Sequence, residues 1–346
     1  LELVRAWEQV LDVRPIGVRD SFFDLGGHSL LAVRLLAHLQ QSLGQTLPLA
    51  ALFEAKTVEE LARWLRQGRS HRSYSPIIAI QPQGNKLPFF CVHPAGGNVL
   101  CYARLAHHLG LDRPFYGLQA RGLSEEEEPI TTVSEMAARY IEALRKVQSQ
   151  GPYLLGGWSM GGVVAFEMAQ QLLAQNQPVA LLALLDSWLL NSKMARQLGN
   201  DNALLTGFAQ DLGLALDQIN LHSRAQPETL NEQLSFLLER ARQANALLPD
   251  LDLAQFGRLF RVYQANVRAL RAYAPRVYQG QLLLLQTERS AADLREFITP
   301  WSDLALGGVA TYSLPGTHFT LVREPFVRTL ADRLKACLDQ AQATSA

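Results

Sequence analysis

The chain has 346 residues, 48% hydrophobic and 18% charged, and its 32 basic side chains balance 32 acidic ones. That length allows two domains, one of roughly 70 residues and one of typical enzyme size. The balanced charge provides no global field toward nucleic acid or an anionic membrane, and three cysteines, Cys91, Cys101 and Cys337, are too few and too scattered for a disulfide framework or a zinc site.

Along the chain, residues 1–67 read as small and all-helical. Leu3, Val4, Trp7, Val10 and Leu11 recur at helical spacing, and Pro15 and Gly17 end that pattern. Leu31, Leu35 and Leu39, with Leu36 and Leu43 beside them, give the stretch 30–43 one apolar face, and Gly44 supplies a stop signal. A last helix over 58–65 has Thr57 as N-cap and Glu60 completing a capping box. Residues 68–76 (GRSHRSYSP) have linker composition.

From 77 onward, strand-sized apolar runs at 89–92, 153–156, 181–185 and 282–285 alternate with helical stretches. This alternation predicts a largely parallel sheet covered on both faces. Between about 189 and 275 it lapses into a helix-rich segment without a convincing strand, read as a lid insertion over one end of the sheet. The acidic run 125–128 reads as a solvated loop. No signal peptide or bilayer-length apolar stretch is visible, so a reduced, cytoplasmic setting without membrane partners is expected. The sequence opens without Met inside a helical pattern, which reads as a segment of a longer chain.

Two serines stand out. Ser29, in FFDLGGHSL (22–30), directly precedes the long amphipathic helix. There a serine is ordinarily an N-cap, but two glycines open the near side, and a helix N-terminus favours a phosphate. Residues 1–67 resemble a peptidyl carrier protein. The resemblance implies a small four-helix bundle whose Ser29 carries 4′-phosphopantetheine, placed there by a phosphopantetheinyl transferase. His28 is more usual of peptidyl carriers than of acyl carriers.

Ser159 lies in the G-x-S-x-G pentapeptide 157–161, between a strand-like run and a helical stretch at 162–175. A sharp strand-to-helix turn of this kind exposes a serine oxygen, and the glycines relieve steric conflict. Serine needs a base. His318, in PGTHF after the strand-like 309–313, follows the serine in the chain order of α/β-hydrolases. Asp186 ends one apolar run and Glu288 follows the next, and spacing leaves both open as the orienting acid. The small residues of HPAGG (93–97) suit an oxyanion loop, with the backbone N–H groups of Ala95 and Met160 as donors. His93 is read as orienting that loop.

Residues 76–341 resemble the thioesterase domain at the end of nonribosomal peptide and polyketide synthases, through FFCVHPAGG, YGLQARGL, GWSMGG, LLDS and GTHF. The resemblance implies an α/β-hydrolase fold with Ser159 as nucleophile, Asp186 as acid and His318 as base. It also implies upstream synthetase domains in the same chain and a peptidyl or acyl thioester substrate, released by hydrolysis or macrocyclisation. Two other readings are a polyketide-type acyl carrier–thioesterase and a catalytically inert carrier and interaction module.

Overall fold

The computed structural model describes residues 2–27, 29–43, 51–67, 75–123, 127–190, 201–214, 229–244, 251–288 and 298–345. The chain divides into two compact units: Leu1–Tyr74 with Leu212–Arg258, and Ser75–Asp211 with Leu259–Ala346. The stretch expected as one lid insertion is therefore split, its middle grouping with the N-terminal unit. Residues 68–74 of the expected linker, His28 and the stop signal at Gly44 lie outside the described residues.

In the N-terminal unit α1 (Glu2–Leu11), α2 (Ser29–Leu43) and α4 (Val58–Arg66) fall where apolar periodicity places them, whereas the single-turn α3 (Ala51–Glu54), too short for periodicity to register, was not anticipated. Helix α1 buries Ala6, Trp7, Val10 and Leu11, and α2 buries Ala32, Leu35, Leu36 and Leu39. Between α1 and α2, the Phe22 ring meets Trp7 edge-on at 5.3 Å and Phe23 at 5.4 Å. Helix α4 opens with the expected capping box: Thr57 Oγ1 accepts from Glu60 N–H at 3.2 Å, and Thr57 N–H donates to Glu60 Oε2 at 3.1 Å. Such a cap contributes about 1 kcal/mol.

The second unit is built on a seven-stranded sheet. Its strands are β1 (Ile77–Gln81), β2 (Phe89–Val92), β3 (Phe115–Leu118), β4 (Tyr153–Trp158), β5 (Val179–Leu185), β7 (Leu282–Thr287) and β9 (Val309–Leu314). They lie in the order β1-β3-β2-β4-β5-β7-β9. All pairings are parallel except β1 with β3. Helices α5 (Ala103–Leu109), α6 (Val133–Leu144) and α7 (Met160–Ala174) join the parallel strands, and α11 (Phe326–Ser345) closes the chain. Every residue of β4 is buried, as is nearly all of α7, so the centre of the sheet is apolar on both faces.

Of the remaining helices, α8 (Asp201–Asp211) belongs to the second unit, α9 (Leu230–Gln243) to the N-terminal unit, and α10 (Leu253–Ala272) runs across the division at Arg258. The first strand and β3 were not anticipated, because each is short and neither alternates clearly. A two-residue ribbon, β6 (Leu189–Leu190) against β8 (Ile298–Thr299), lies partly in a region expected to be free of strands. Two residues are too few for any periodicity to register. None of the described helices is long and apolar enough to cross a membrane.

Candidate active site

Parallel register brings the C-terminal ends of the strands to one edge. Val92 is level with Gly157, Trp158 with Leu185, and Thr287 with Leu314. The loops leaving β2, β4, β5, β7 and β9 therefore share one rim, where open parallel sheets place their sites.

At the end of β4 the chain turns into α7 within one residue. Ser159 carries φ 58° and ψ −128°, outside the usual regions for an L-residue, a conformation that costs about 1–3 kcal/mol. The turn persists because its surroundings over-determine it. Ser159 N–H donates to Leu185 O at 3.0 Å. Ser187 Oγ donates to Ser159 O at 2.6 Å. The glycines are sterically required: a Cβ on Gly157 would overlap the backbone of Gly161, and one on Gly161 would overlap Val92 O.

Three side chains from three strand ends meet here. Ser159 Oγ lies 3.1 Å from His318 Nε2, and His318 Nδ1 lies 2.8 Å from Asp186 Oδ2. Asp186 is fully buried, so its carboxylate depends on fixed donors, and Thr287 N–H supplies one to Oδ1 at 2.9 Å. With an acid on one nitrogen and a hydroxyl on the other, the partners assign Nδ1 as the protonated nitrogen and Nε2 as acceptor. Glu288, the alternative acid, is exposed just beyond β7.

His93–Pro94–Ala95–Gly96–Gly97 follows β2. Neither Ala95 N–H nor Met160 N–H has a partner among the described residues, and Met160 N–H sits at the start of α7, where the helix leaves donors free. Asn266 of α10 holds the loop from outside, donating from Nδ2 to Ala95 O at 2.8 Å. Tyr102 ties it to the serine turn: its hydroxyl donates to Val92 O at 2.5 Å and accepts from Trp158 N–H at 3.0 Å. Burial pushes that phenol well above its ordinary range, which keeps the hydroxyl protonated as a donor.

His93 is fully buried, with Nδ1 2.7 Å from Pro94 O and Nε2 2.7 Å from Tyr140 Oη. Burial holds its pKa down to about 4, the Pro94 carbonyl offsetting part of the effect, so the ring is neutral near pH 7. Its two bonds make it a brace for the loop. Asn266, Tyr102 and Thr287 carry no sequence signal that separates them from ordinary core polar residues, and Ser187, although it closes the LLDS stretch, was given no role there. They become visible only once the fold brings distant segments together.

In the N-terminal unit, Ser29 opens the fifteen-residue α2. The preceding loop is tight on one side and open on the other. A Cβ on Gly27 would run into Phe22, whereas one on Gly26 would meet nothing within 4 Å. An open approach beside the N-terminal turn of a long helix fits a phosphodiester-linked group.

A serine on a strand–turn–helix elbow, in contact with a histidine and a buried aspartate at the rim of a mostly parallel sheet, defines an α/β-hydrolase. Comparison with known families narrows this. The thioesterase domain model matches residues 87–337, and the phosphopantetheine attachment site model matches residues 2–65. The chain belongs to the thioesterase domain family and carries a phosphopantetheine-type carrier domain ahead of it.

The chain is 39% identical over 282 residues to a dimodular nonribosomal peptide synthase of Bacillus subtilis, covering 81% of this chain and 11% of that protein. It is 33% identical over 329 residues to malpibaldin synthetase of Mortierella alpina, covering 92% of this chain and 5% of that protein. It thus spans a small fraction of the length of these relatives. Among solved structures, a four-domain nonribosomal peptide synthetase, AB3403, matches at TM-score 0.70 and 31% identity, over 97% of this chain and 26% of that one. The NocB thioesterase domain, solved in covalent complex with a fluorophosphonate nocardicin G analogue, matches at TM-score 0.54 and 27% identity, over 76% of this chain and 99% of that one.

Proposed function

We propose that this chain is the releasing end of a nonribosomal peptide synthetase. A four-helix carrier domain at 1–67 presents a peptidyl chain, and a thioesterase domain at 77–346, with a helical lid insertion at about 189–275, cleaves it off. The observation that carries the reading is the continuous contact from Ser159 Oγ through His318 to Asp186, at 3.1 and 2.8 Å. Ser29 would hold 4′-phosphopantetheine, installed by a phosphopantetheinyl transferase and loaded by upstream synthetase domains. When bound, that group supplies a thiol on a long arm to which the acyl chain is esterified.

His318 Nε2 takes the Ser159 proton as Oγ attacks the thioester carbonyl. The new C–O bond forms, and the developing oxyanion receives the N–H groups of Ala95 and Met160. Asp186 holds the imidazole in its tautomer and stabilises the imidazolium. Collapse breaks the C–S bond, and the imidazolium returns its proton to the departing sulfur, leaving an ester on Ser159. In the second half His318 deprotonates water, giving a free acid, or an amine or hydroxyl of the acyl chain, giving a ring.

Intact-protein mass spectrometry after enzymatic loading with an acyl-pantetheine tests the reading. Wild type should load and then shed the acyl group, Ser159→Ala should load and keep it, and Ser29→Ala should not load. Equal retention of peptidyl groups by wild type and Ser159→Ala would overturn it.

A further inference from the structure

The His318 ring has aromatic neighbours on three of the surrounding segments, and the proton relay accounts for none of them. The Trp188 ring centroid lies 4.2 Å away with the planes inclined at 39°, and Trp158 lies 5.2 Å away at 38°. Phe319 meets the imidazole edge-on at 5.1 Å and 81°. Both indoles are tied to the relay by sequence as well as by space. Trp158 immediately precedes Ser159, and Trp188 stands two residues after Asp186. The strand ends that deliver the serine and the carboxylate thus each deliver an indole against the same imidazole.

Hydrogen bonding does not explain tryptophan at these positions. The Nε1–H groups of Trp158 and Trp188 are both buried and donate to no acceptor among the described residues. A buried, unpaired N–H is a burden on stability that phenylalanine or leucine would avoid. The indole must therefore be read through its ring, and two properties of the ring bear on a neighbouring imidazole. It packs, fixing orientation. It also has a negative π face, which attracts a cation within about 6 Å of the centroid, and indole does so best among the aromatic side chains.

A cation forms here in every cycle, because His318 becomes an imidazolium each time it accepts a proton from Ser159 or from the second nucleophile. The neutral resting ring gains little from the π face, and the imidazolium gains more. The contact is therefore stronger in the charged state of the ring than in its resting state, and only such interactions lower the barrier.

We propose that Trp188, with Trp158 in support, is a positioning residue that stabilises the transient imidazolium of His318 through cation–π attraction, complementing the Asp186 carboxylate on Nδ1. This rests on the reading of His318 as the general base. The expected contribution is a fall in kcat of about 3- to 30-fold on loss of the π density at 188, the range spanned by cation–π contacts from exposed to desolvated sites. The KM for a soluble acyl thioester should stay within about twofold, since the ground-state ring is neutral.

The test replaces Trp188 in the full chain with tryptophans of increasing fluorination, from monofluoro to tetrafluoro, by site-specific incorporation. Fluorine drains the π face while the indole keeps its shape, so a packing role would not respond. Two rates are followed across the series: turnover of a soluble peptidyl thioester, and phosphonylation of Ser159 by a fluorophosphonate. A stepwise fall of both rates with each added fluorine, with Trp188→Phe between wild type and Trp188→Leu, is the expected result. A flat fluorine series in an active enzyme would overturn the cation–π role alone and leave the base assignment standing. A wild-type protein whose Ser159 resists phosphonylation would overturn both.

Discussion

Asn266 Nδ2 donates to Ala95 O at 2.8 Å, joining positions 171 residues apart in the chain. Asn266 is 1% exposed, whereas Ala95 is only partly buried. The bond fixes the peptide that precedes Gly96, next to the Ala95 N–H assigned to the oxyanion. Asn266→Ala removes the donor of a partly buried carbonyl, a cost of about 1 kcal/mol. Because the oxyanion exists only in the reacting state, the loss should fall on kcat, by about tenfold, with KM little changed. Steady-state kinetics on a soluble thioester check this, and an unchanged kcat would remove the loop from the catalytic account.

The two carboxylates that spacing left open now make different predictions. Asp186 is fully buried and bonded to both Thr287 N–H and His318 Nδ1, whereas Glu288 is exposed. Asp186→Asn should lower kcat by about 10³–10⁴-fold, as loss of the orienting acid does in serine hydrolases, because an amide no longer selects the working tautomer. Glu288→Gln should change it by less than about twofold, in line with a surface substitution away from the reacting groups. A reversal of the two effects would move the acid to β7.

Much of this arrangement was legible in the sequence, for reasons that differ by element. The apolar runs predicted at 89–92, 153–156, 181–185 and 282–285 overlap β2, β4, β5 and β7 because a strand buried on both faces must be continuously apolar. The capping box at Thr57 and Glu60 was legible because it is a local device spanning four residues. Ser159 and His318 were legible because the elbow needs small residues at fixed offsets and the fold fixes chain order. Other features were hidden. Strand β1 lies at an edge with an irregular register, so its pattern is weak. The braces on the site, Asn266, Tyr102 and Ser187, act across tens to hundreds of residues, and nothing local marks a polar core residue as a brace. The grouping of Leu212–Arg258 with the N-terminal unit likewise depends on tertiary packing that helical periodicity does not encode.

At the opposite side of the thioesterase sheet from its reacting edge, a charged cluster secures the last helix. The Arg113 guanidinium is only 3% exposed and donates to Leu87 O at 2.7 Å, Gln342 Oε1 at 3.1 Å and Asp339 Oδ1 at 2.9 Å. Lys86 also reaches Asp339 at 2.8 Å and Asp112 at 2.7 Å. Arg113→Met forfeits three part-buried hydrogen bonds, to Leu87 O, Gln342 and Asp339, and should destabilise the thioesterase unit by about 2–4 kcal/mol. Asp339→Asn should cost about 1 kcal/mol or less, because that carboxylate is 39% exposed and solvent screens it. Urea denaturation, followed on the thioesterase transition, separates the two. Equal losses would mean that the ion pair dominates over the bond to Leu87.

His93 predicts how stability responds to acid. Burial holds its folded pKa down to about 4, against an ordinary value of 6.5. The unfolded chain therefore binds the proton first as the pH falls. The stability His93 contributes is fully present above pH 6.5 and is lost between pH 6.5 and about 4, below which both states are protonated. The lowered value corresponds to about 3 kcal/mol over that window. The geometry makes the loss concrete, since a protonated Nε2 can no longer accept from Tyr140 Oη at 2.7 Å. In His93→Gln the side chain does not titrate. At pH 7.5 the variant should be less stable than wild type, having lost the paired ring. Between pH 6.5 and 4 the wild-type stability should fall toward that of the variant, because carboxylate titrations elsewhere affect both proteins alike. Urea midpoints measured at half-unit pH steps give the two curves. If they run parallel through that window, the ring is not held neutral by its burial, and its bracing of the oxyanion loop does not depend on its charge.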